Sequence, residues 1–92
     1  MPQGDYRVLL ESRAEKDLDK LESTVRERVI RRLFLLRQNP RPPGAKKLEG
    51  VGFAWRIRIG DWRVIYEIND RRREVQVYRV RHRSDAYLEV RF

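Results

Sequence analysis

The hydrophobic period of this chain changes once, and that change limits what it can fold into. Before Pro40 the apolar residues recur at helical spacing, and from Trp55 onward they alternate with a period of two. Trp55-Arg56-Ile57-Arg58-Ile59 alternates cleanly, Gly60-Asp61 supplies a two-residue hairpin turn, and Trp62-Arg63-Val64-Ile65-Tyr66-Glu67-Ile68 runs back. Asn69-Asp70-Arg71-Arg72-Arg73 is a second turn, followed by a third strand, Val75-Gln76-Val77-Tyr78-Arg79-Val80. The second half of the chain is therefore a meander that needs a covering layer.

The first half supplies that layer. Tyr6-Arg7-Val8-Leu9-Leu10 reads as a short strand whose apolar positions fall on both parities, so it is expected inside the sheet. Ser12-Arg13-Ala14-Glu15 fits a capping box and opens a helix with Leu18 and Leu21 as its apolar stripe. A second box, Thr24-Val25-Arg26-Glu27, restarts the chain as another helix. Its apolar face holds Val25, Val29, Leu33 and Leu36, joined by Ile30 and Phe34. Pro40 ends it, because the residue before proline is pushed out of the helical region. Residues 40–52, rich in proline and glycine, read as a loop anchored at Lys46-Lys47-Leu48. No repeat or linker interrupts the chain, so residues 1–92 are expected to form a single domain. The fold class is α+β in the order strand, helix, helix, three strands. The two-helix hairpin should pack on one face of a mostly antiparallel four-stranded sheet.

The turn at Gly60-Asp61 sets a register in which Ile59 faces Trp62, Arg58 faces Arg63, Ile57 faces Val64, Arg56 faces Ile65 and Trp55 faces Tyr66. Ile57, Ile59, Val64, Tyr66 and the two tryptophans then share the face meant for the helices. Arg56, Arg58 and Arg63 share the other. Like charges directly opposite each other destabilise a pair by up to about 1 kcal/mol. Two readings of this face are open: a solvated surface whose guanidiniums splay apart or find Glu67, and a prebuilt anion site completed by phosphate. The second is preferred. It agrees with a net charge of +8, carried by 18 arginines and four lysines against 14 acidic residues. Arginine's planar fork grips phosphate bidentately, and a charge of this size favours a polyanion or an acidic partner.

A second cluster closes the chain: Arg81-His82-Arg83-Ser84-Asp85-Ala86-Tyr87. Arg83 and Tyr87, four apart, share a side whether the segment is extended or helical. His82 is the only histidine, the residue type whose free side chain changes charge near neutrality. Whether Arg79 or Arg81 joins the arginine face depends on a register left open. One histidine and no cysteine build no zinc site, and no carboxylate cluster suggests another metal, so neither metal nor cofactor is expected. There is no phosphate-binding glycine loop and no serine nucleophile motif. Arg71-Arg72-Arg73 sits in a turn and reads as wet surface. No apolar run is long enough to span a bilayer, and Met1-Pro2-Gln3-Gly4-Asp5 lacks the profile of a secretory signal. A cytoplasmic protein with no membrane partner is expected.

Leu48-x-Gly50, the run from Trp55 to Ile68, and Val80-Arg81-His82-Arg83 with Tyr87 together resemble the RelE/ParE family of type II toxins. The likeness spans nearly the whole chain, and the stretch from Arg58 to Tyr66 is its most specific part. The resemblance implies an mRNA endonuclease that enters the ribosomal A site and is held inactive, in a hetero-oligomer, by a cognate antitoxin. Residue by residue it implies catalytic roles for Arg56, Arg58, Arg63, Arg83 and Tyr87; Lys46, Lys47 and Arg81 are expected as further RNA contacts. Cleavage would need no metal: a 2′-hydroxyl attacks the adjacent phosphate while arginines hold the developing charge. Arginine stays protonated, so Tyr87 or His82 is left as acid or base. Two alternatives are a ParE-like poison of DNA gyrase and a basic RNA-binding protein without catalysis.

Overall fold

The computed structural model of the chain describes residues 5–48 and 52–84. Its elements are β1 (Arg7–Leu10), α1 (Ser12–Asp19), α2 (Ser23–Leu35), β2 (Lys46–Lys47), β3 (Ala54–Ile59), β4 (Trp62–Asn69) and β5 (Glu74–His82). The sheet has five strands in the order β1-β5-β4-β3-β2; β1 runs parallel to β5 and every other pair is antiparallel. Apart from the added strand β2, the order of strands and helices is the expected one. The α+β class and the mostly antiparallel sheet follow the expectation as well.

The expected register of the hairpin is the observed one, from Trp55 opposite Tyr66 to Ile59 opposite Trp62. Gly60 takes φ +62° at the first turn position, a conformation a side chain would strain. The alternation then sorts the sheet. Ile57, Ile59, Val64 and Tyr66 join Val75, Val77 and Val80 in a core closed from the helices by Ala14, Leu18, Leu21, Val29, Leu33 and Leu36. Trp55 and Trp62 are only partly buried at its margin. Tyr66, fully buried, donates its hydroxyl to the Pro40 carbonyl at 2.7 Å and so fixes the start of the loop. Arg41 next door holds Asp70 through two bonds of 2.9 and 3.2 Å, and Tyr6 donates to the same carboxylate at 2.6 Å. These partners hold the Asp70 carboxyl at about 2.

Four local expectations need correction. The sheet has a fifth strand, because Lys46 and Lys47, read as loop, pair with Arg56 and Trp55. A two-residue strand leaves no alternation to read. Strand β1 lies at the edge of the sheet, not inside it; Leu9 on its second parity is 36% exposed. The capping boxes do not form: Glu11 and Glu22 occupy the cap positions without side-chain caps. Glu11 passes straight from strand to helix, its N–H donating to the Val77 carbonyl and its carbonyl accepting from Glu15. Finally, only half of the broad apolar face of α2 is core. Val29, Leu33 and Leu36 are buried, while Ile30 and Phe34 are 48% and 59% exposed.

Candidate active site

The face of the sheet turned away from the helices is organised in rows across the strands. Arg58 on β3 stands opposite Arg63 on β4, and Arg63 stands opposite Arg81 on β5. Directly paired residues project to the same side of a sheet, so three guanidinium stems start from one row. The next row toward the sheet centre runs Lys46, Arg56, Ile65, Arg79 across β2 to β5. Ile65 is fully buried although the helices do not cover this face. Arg56 flanks it, half-buried, with an Nε atom that is shielded from solvent and has no hydrogen-bond partner. Long basic side chains lay their methylene stems on apolar surface while the head stays wet. Neither Arg56 nor Arg58 is paired with a carboxylate among the described residues.

The register, with a bulge in β5 between the partners of Ile65 and Tyr66, pairs both Arg79 and Arg81 on this face, and a contact with α1 decides between them. The Arg79 guanidinium is taken by Asp17 of α1, Nε to Oδ2 at 2.8 Å and Nη2 to Oδ1 at 3.2 Å. The same Oδ2 accepts the Val80 N–H at 2.9 Å. Strand β1 pairs only with the first half of β5, so Asp17 satisfies the edge amide that no strand reaches. Arg79 is thereby held at the helix, and Arg81 is the β5 arginine in the row.

The other candidates divide. Arg83 follows β5 beside the hairpin turn: its N–H donates to the Asp61 carbonyl at 2.7 Å, and its Nε lies 3.7 Å from the Asp61 carboxylate. It joins the end of the sheet where Arg58 and Arg63 stand. Lys46 shares the side of Arg56, whereas Lys47, paired with Trp55, shares the helix side. His82 pairs with Trp62 and therefore also belongs to the helix side. Its ring meets the Trp62 ring edge-on, 5.0 Å between centroids, and its Nδ1 accepts the Ser84 N–H at 3.2 Å. Register thus separates His82 from the arginine row by the thickness of the sheet. Tyr87 lies outside the described residues.

One cation escaped the sequence reading. Arg28 of α2 reaches the hairpin turn, so that a Cβ placed on Gly60 would stand 3.1 Å from its Nη1. Nothing in helical periodicity marks Arg28, which reads as wet surface; only the helix-to-hairpin packing brings it there. Among the described residues no group of three or more His, Asp or Glu side chains converges as metal ligands would. No helix there is long and apolar enough to cross a membrane.

Fold and face define a class: a small α+β protein whose helix hairpin backs a sheet presenting a row of arginines. The family model for the ParE toxin of type II toxin–antitoxin systems matches residues 8–87. The mRNA interferase toxin RelE of Escherichia coli (strain K12) is 34% identical over 89 residues, covering 92% of this chain and 93% of that protein. Among solved structures, the RelBE2 toxin–antitoxin complex from Mycobacterium tuberculosis superposes with a TM-score of 0.80. It is 29% identical and covers 90% of this chain and 97% of that one. The archaeal RelE–RelB complex from Pyrococcus horikoshii OT3 gives 0.76 at 30% identity, covering 86% and 96%. The chain belongs to the RelE/ParE family of toxins of type II toxin–antitoxin systems.

Proposed function

We propose that this toxin is an endoribonuclease that cleaves mRNA in the ribosomal A site, and that its 92 residues act as one domain in the cytoplasm. The observation that carries the reading is the row Arg58–Arg63–Arg81, extended by Arg83 at the same end of the sheet. A phosphate lying across the row meets several guanidinium forks whose mutual repulsion it relieves. In the reaction the 2′-oxygen of one nucleotide attacks the adjacent phosphorus and the bond to the 5′-oxygen breaks. The products are a 2′,3′-cyclic phosphate and a 5′-hydroxyl. The pentacoordinate phosphorus carries more negative charge than the starting diester, so preorganised arginines favour it over the ground state. Arg56 holds the strand's inner phosphate contact and Lys46 extends it, and Arg81 contributes a further RNA contact from the row, whereas Lys47 on the helix side does not reach this track.

Proton transfer falls to Tyr87 or His82. A free phenol ionises near pH 10, so Tyr87 acts as a base only where the arginines lower that value. His82 has the better intrinsic value and the worse placement, since its strand register directs it away from the row. No step needs a metal. The ribosome supplies substrate orientation, which lets so sparse a set of side chains suffice.

The RelE-named relatives at whole-chain coverage support the nuclease reading, and the antitoxin complexes among its structural neighbours support a cognate antitoxin as partner. Primer extension on a message translated in the presence of the protein is the test. New 5′ ends within ribosome-covered codons are expected. An intact message with inhibited DNA supercoiling would overturn the proposal in favour of a gyrase poison. Intact message with salt-sensitive RNA binding would overturn it in favour of a non-catalytic binder.

A further inference from the structure

Strand β5 changes phase once, and the row of arginines depends on that change. From Glu74 to Val77 it faces β4 in one register, with Gln76 opposite Glu67 and Val77 opposite Tyr66. From Arg79 to His82 the register has moved by one residue, with Arg79 opposite Ile65, Val80 opposite Val64 and Arg81 opposite Arg63. Tyr78 is the residue inserted between the two stretches. A strand points successive side chains to opposite faces, so this insertion decides which face the rest of β5 presents. Continued without it, the first register sets Arg79 opposite Val64 in the core, Val80 opposite Arg63 and Arg81 opposite Trp62 on the helix side. With it, Val75, Val77 and Val80 are all buried and Arg81 stands in the row.

The phase change is gripped from two sides. Tyr78 donates its hydroxyl to Glu67 Oε1 at 2.9 Å, and both residues are only partly exposed. On the other flank, Asp17 of α1 takes the Arg79 guanidinium and the Val80 N–H. Burial of both Val77 and Val80 demands one extra residue between them, but it does not choose which, since Tyr78 and Arg79 satisfy the count equally. The bond to Glu67 makes the choice and fixes where the strand bends. Glu67 stands four residues from Arg63, about 13 Å along β4 at the usual rise, and a carboxylate does not hold a phosphate. Any influence of this pair on cleavage therefore passes through the backbone of β5. Such influence is large when catalytic groups are held to a fraction of an ångström, because a displacement of about 1 Å can cost about a hundredfold.

We propose that Tyr78 and Glu67 are positioning residues for cleavage: their hydrogen bond fixes the bulge that aims Arg81, and Arg83 after it, into line with Arg63. The inference rests on the nuclease reading above and adds to it the device that aligns the row. The test is single-turnover cleavage of mRNA on programmed ribosomes, with the maximal rate and the half-saturating toxin concentration read separately. Tyr78→Phe keeps the ring and loses the donor, and Glu67→Ala loses the acceptor. Each should lower the maximal rate about tenfold and leave the half-saturating concentration unchanged. The double variant should be no slower than either single one, because both changes remove the same interaction. Glu67→Gln keeps a carbonyl oxygen for the Tyr78 hydroxyl and should restore nearly the wild-type rate. Hydrogen exchange in Tyr78→Phe should quicken at the β5 amides around the bulge while those of β3 and α2 stay protected, a pattern that general destabilisation does not produce. A Tyr78→Phe protein that cleaves at the wild-type maximal rate would overturn the proposal and leave the nuclease in place. A loss seen only as a raised half-saturating concentration would overturn it too, since the pair would then be touching RNA. A wild-type protein that cleaves nothing would overturn both readings.

Discussion

Arg58 and Arg63 face each other directly across the β3–β4 ladder, two like charges in the position where sheets usually place a complementary pair. Stability alone does not account for this choice. Arg58→Ala removes the repulsion, so thermal unfolding should shift upward slightly or not at all, within about 1 kcal/mol. Cleavage should fall in the same variant. A strongly destabilised Arg58→Ala protein would mean that Arg58 belongs to the packing of the domain.

Asp17 makes the opposite prediction. Its side chain is 13% exposed and serves both the Arg79 guanidinium and the Val80 amide. Asp17→Ala leaves a half-buried cation and an edge amide without this acceptor, which should cost about 2 kcal/mol in chemical denaturation. The loss should change little with salt, because the pair is shielded. Catalytic geometry should suffer as well, since Arg79 is then released beside Arg81.

Much of this was legible because it depends on counting. The alternation of β3 and β4 and the glycine turn give the register by arithmetic, and with it the face shared by Arg56, Arg58 and Arg63. What was hidden depends on geometry that has no period. Lys46 and Lys47 form a strand too short to alternate. The bulge inserts a residue into β5, and no local pattern announces it or the contact that holds Arg79 at Asp17. His82 looked like a partner of Arg81 and Arg83 in sequence. A strand places neighbours on opposite faces, and only the observed pairing with Trp62 assigns its side. Ile30 and Phe34 fit the helical stripe of α2, but they lie exposed on a groove they share with Val8 and Leu10 of the edge strand.

Two tyrosines should report on the fold at high pH. Burial pushes the Tyr66 hydroxyl up to about 12, and burial with the Glu67 hydrogen bond pushes Tyr78 up to about 12. Unfolded phenols ionise near 10, so the folded state holds these protons more tightly. Their contribution to stability is complete below about pH 10 and is lost as pH rises through about 12. An absorbance titration of tyrosinate should show Tyr66 and Tyr78 lagging until unfolding begins, with Tyr6 also raised by its hydrogen bond to Asp70, and Tyr66→Phe should remove one of the lagging phenols. Complete ionisation near pH 10 in a protein that stays folded would contradict the buried hydrogen bonds.

The antitoxin proposed as partner should carry an acidic or amphipathic segment that lies over or beside the arginine face. Attraction between that segment and a chain of net charge +8 steers the encounter, so association should slow several-fold between low and high salt. Stopped-flow mixing of the two proteins measures this. A rate that does not change with salt would remove electrostatics from the recognition step.

Arg63 is the residue on which the account turns, because it stands in the middle of the row, opposite both Arg58 and Arg81. Its replacement by alanine should slow single-turnover cleavage of mRNA on programmed ribosomes by roughly 10²–10³, the usual loss of one transition-state charge contact. Circular dichroism should show an intact fold at the assay temperature. Cleavage by Arg63→Ala at the wild-type rate would mean that the reaction does not take place across this row.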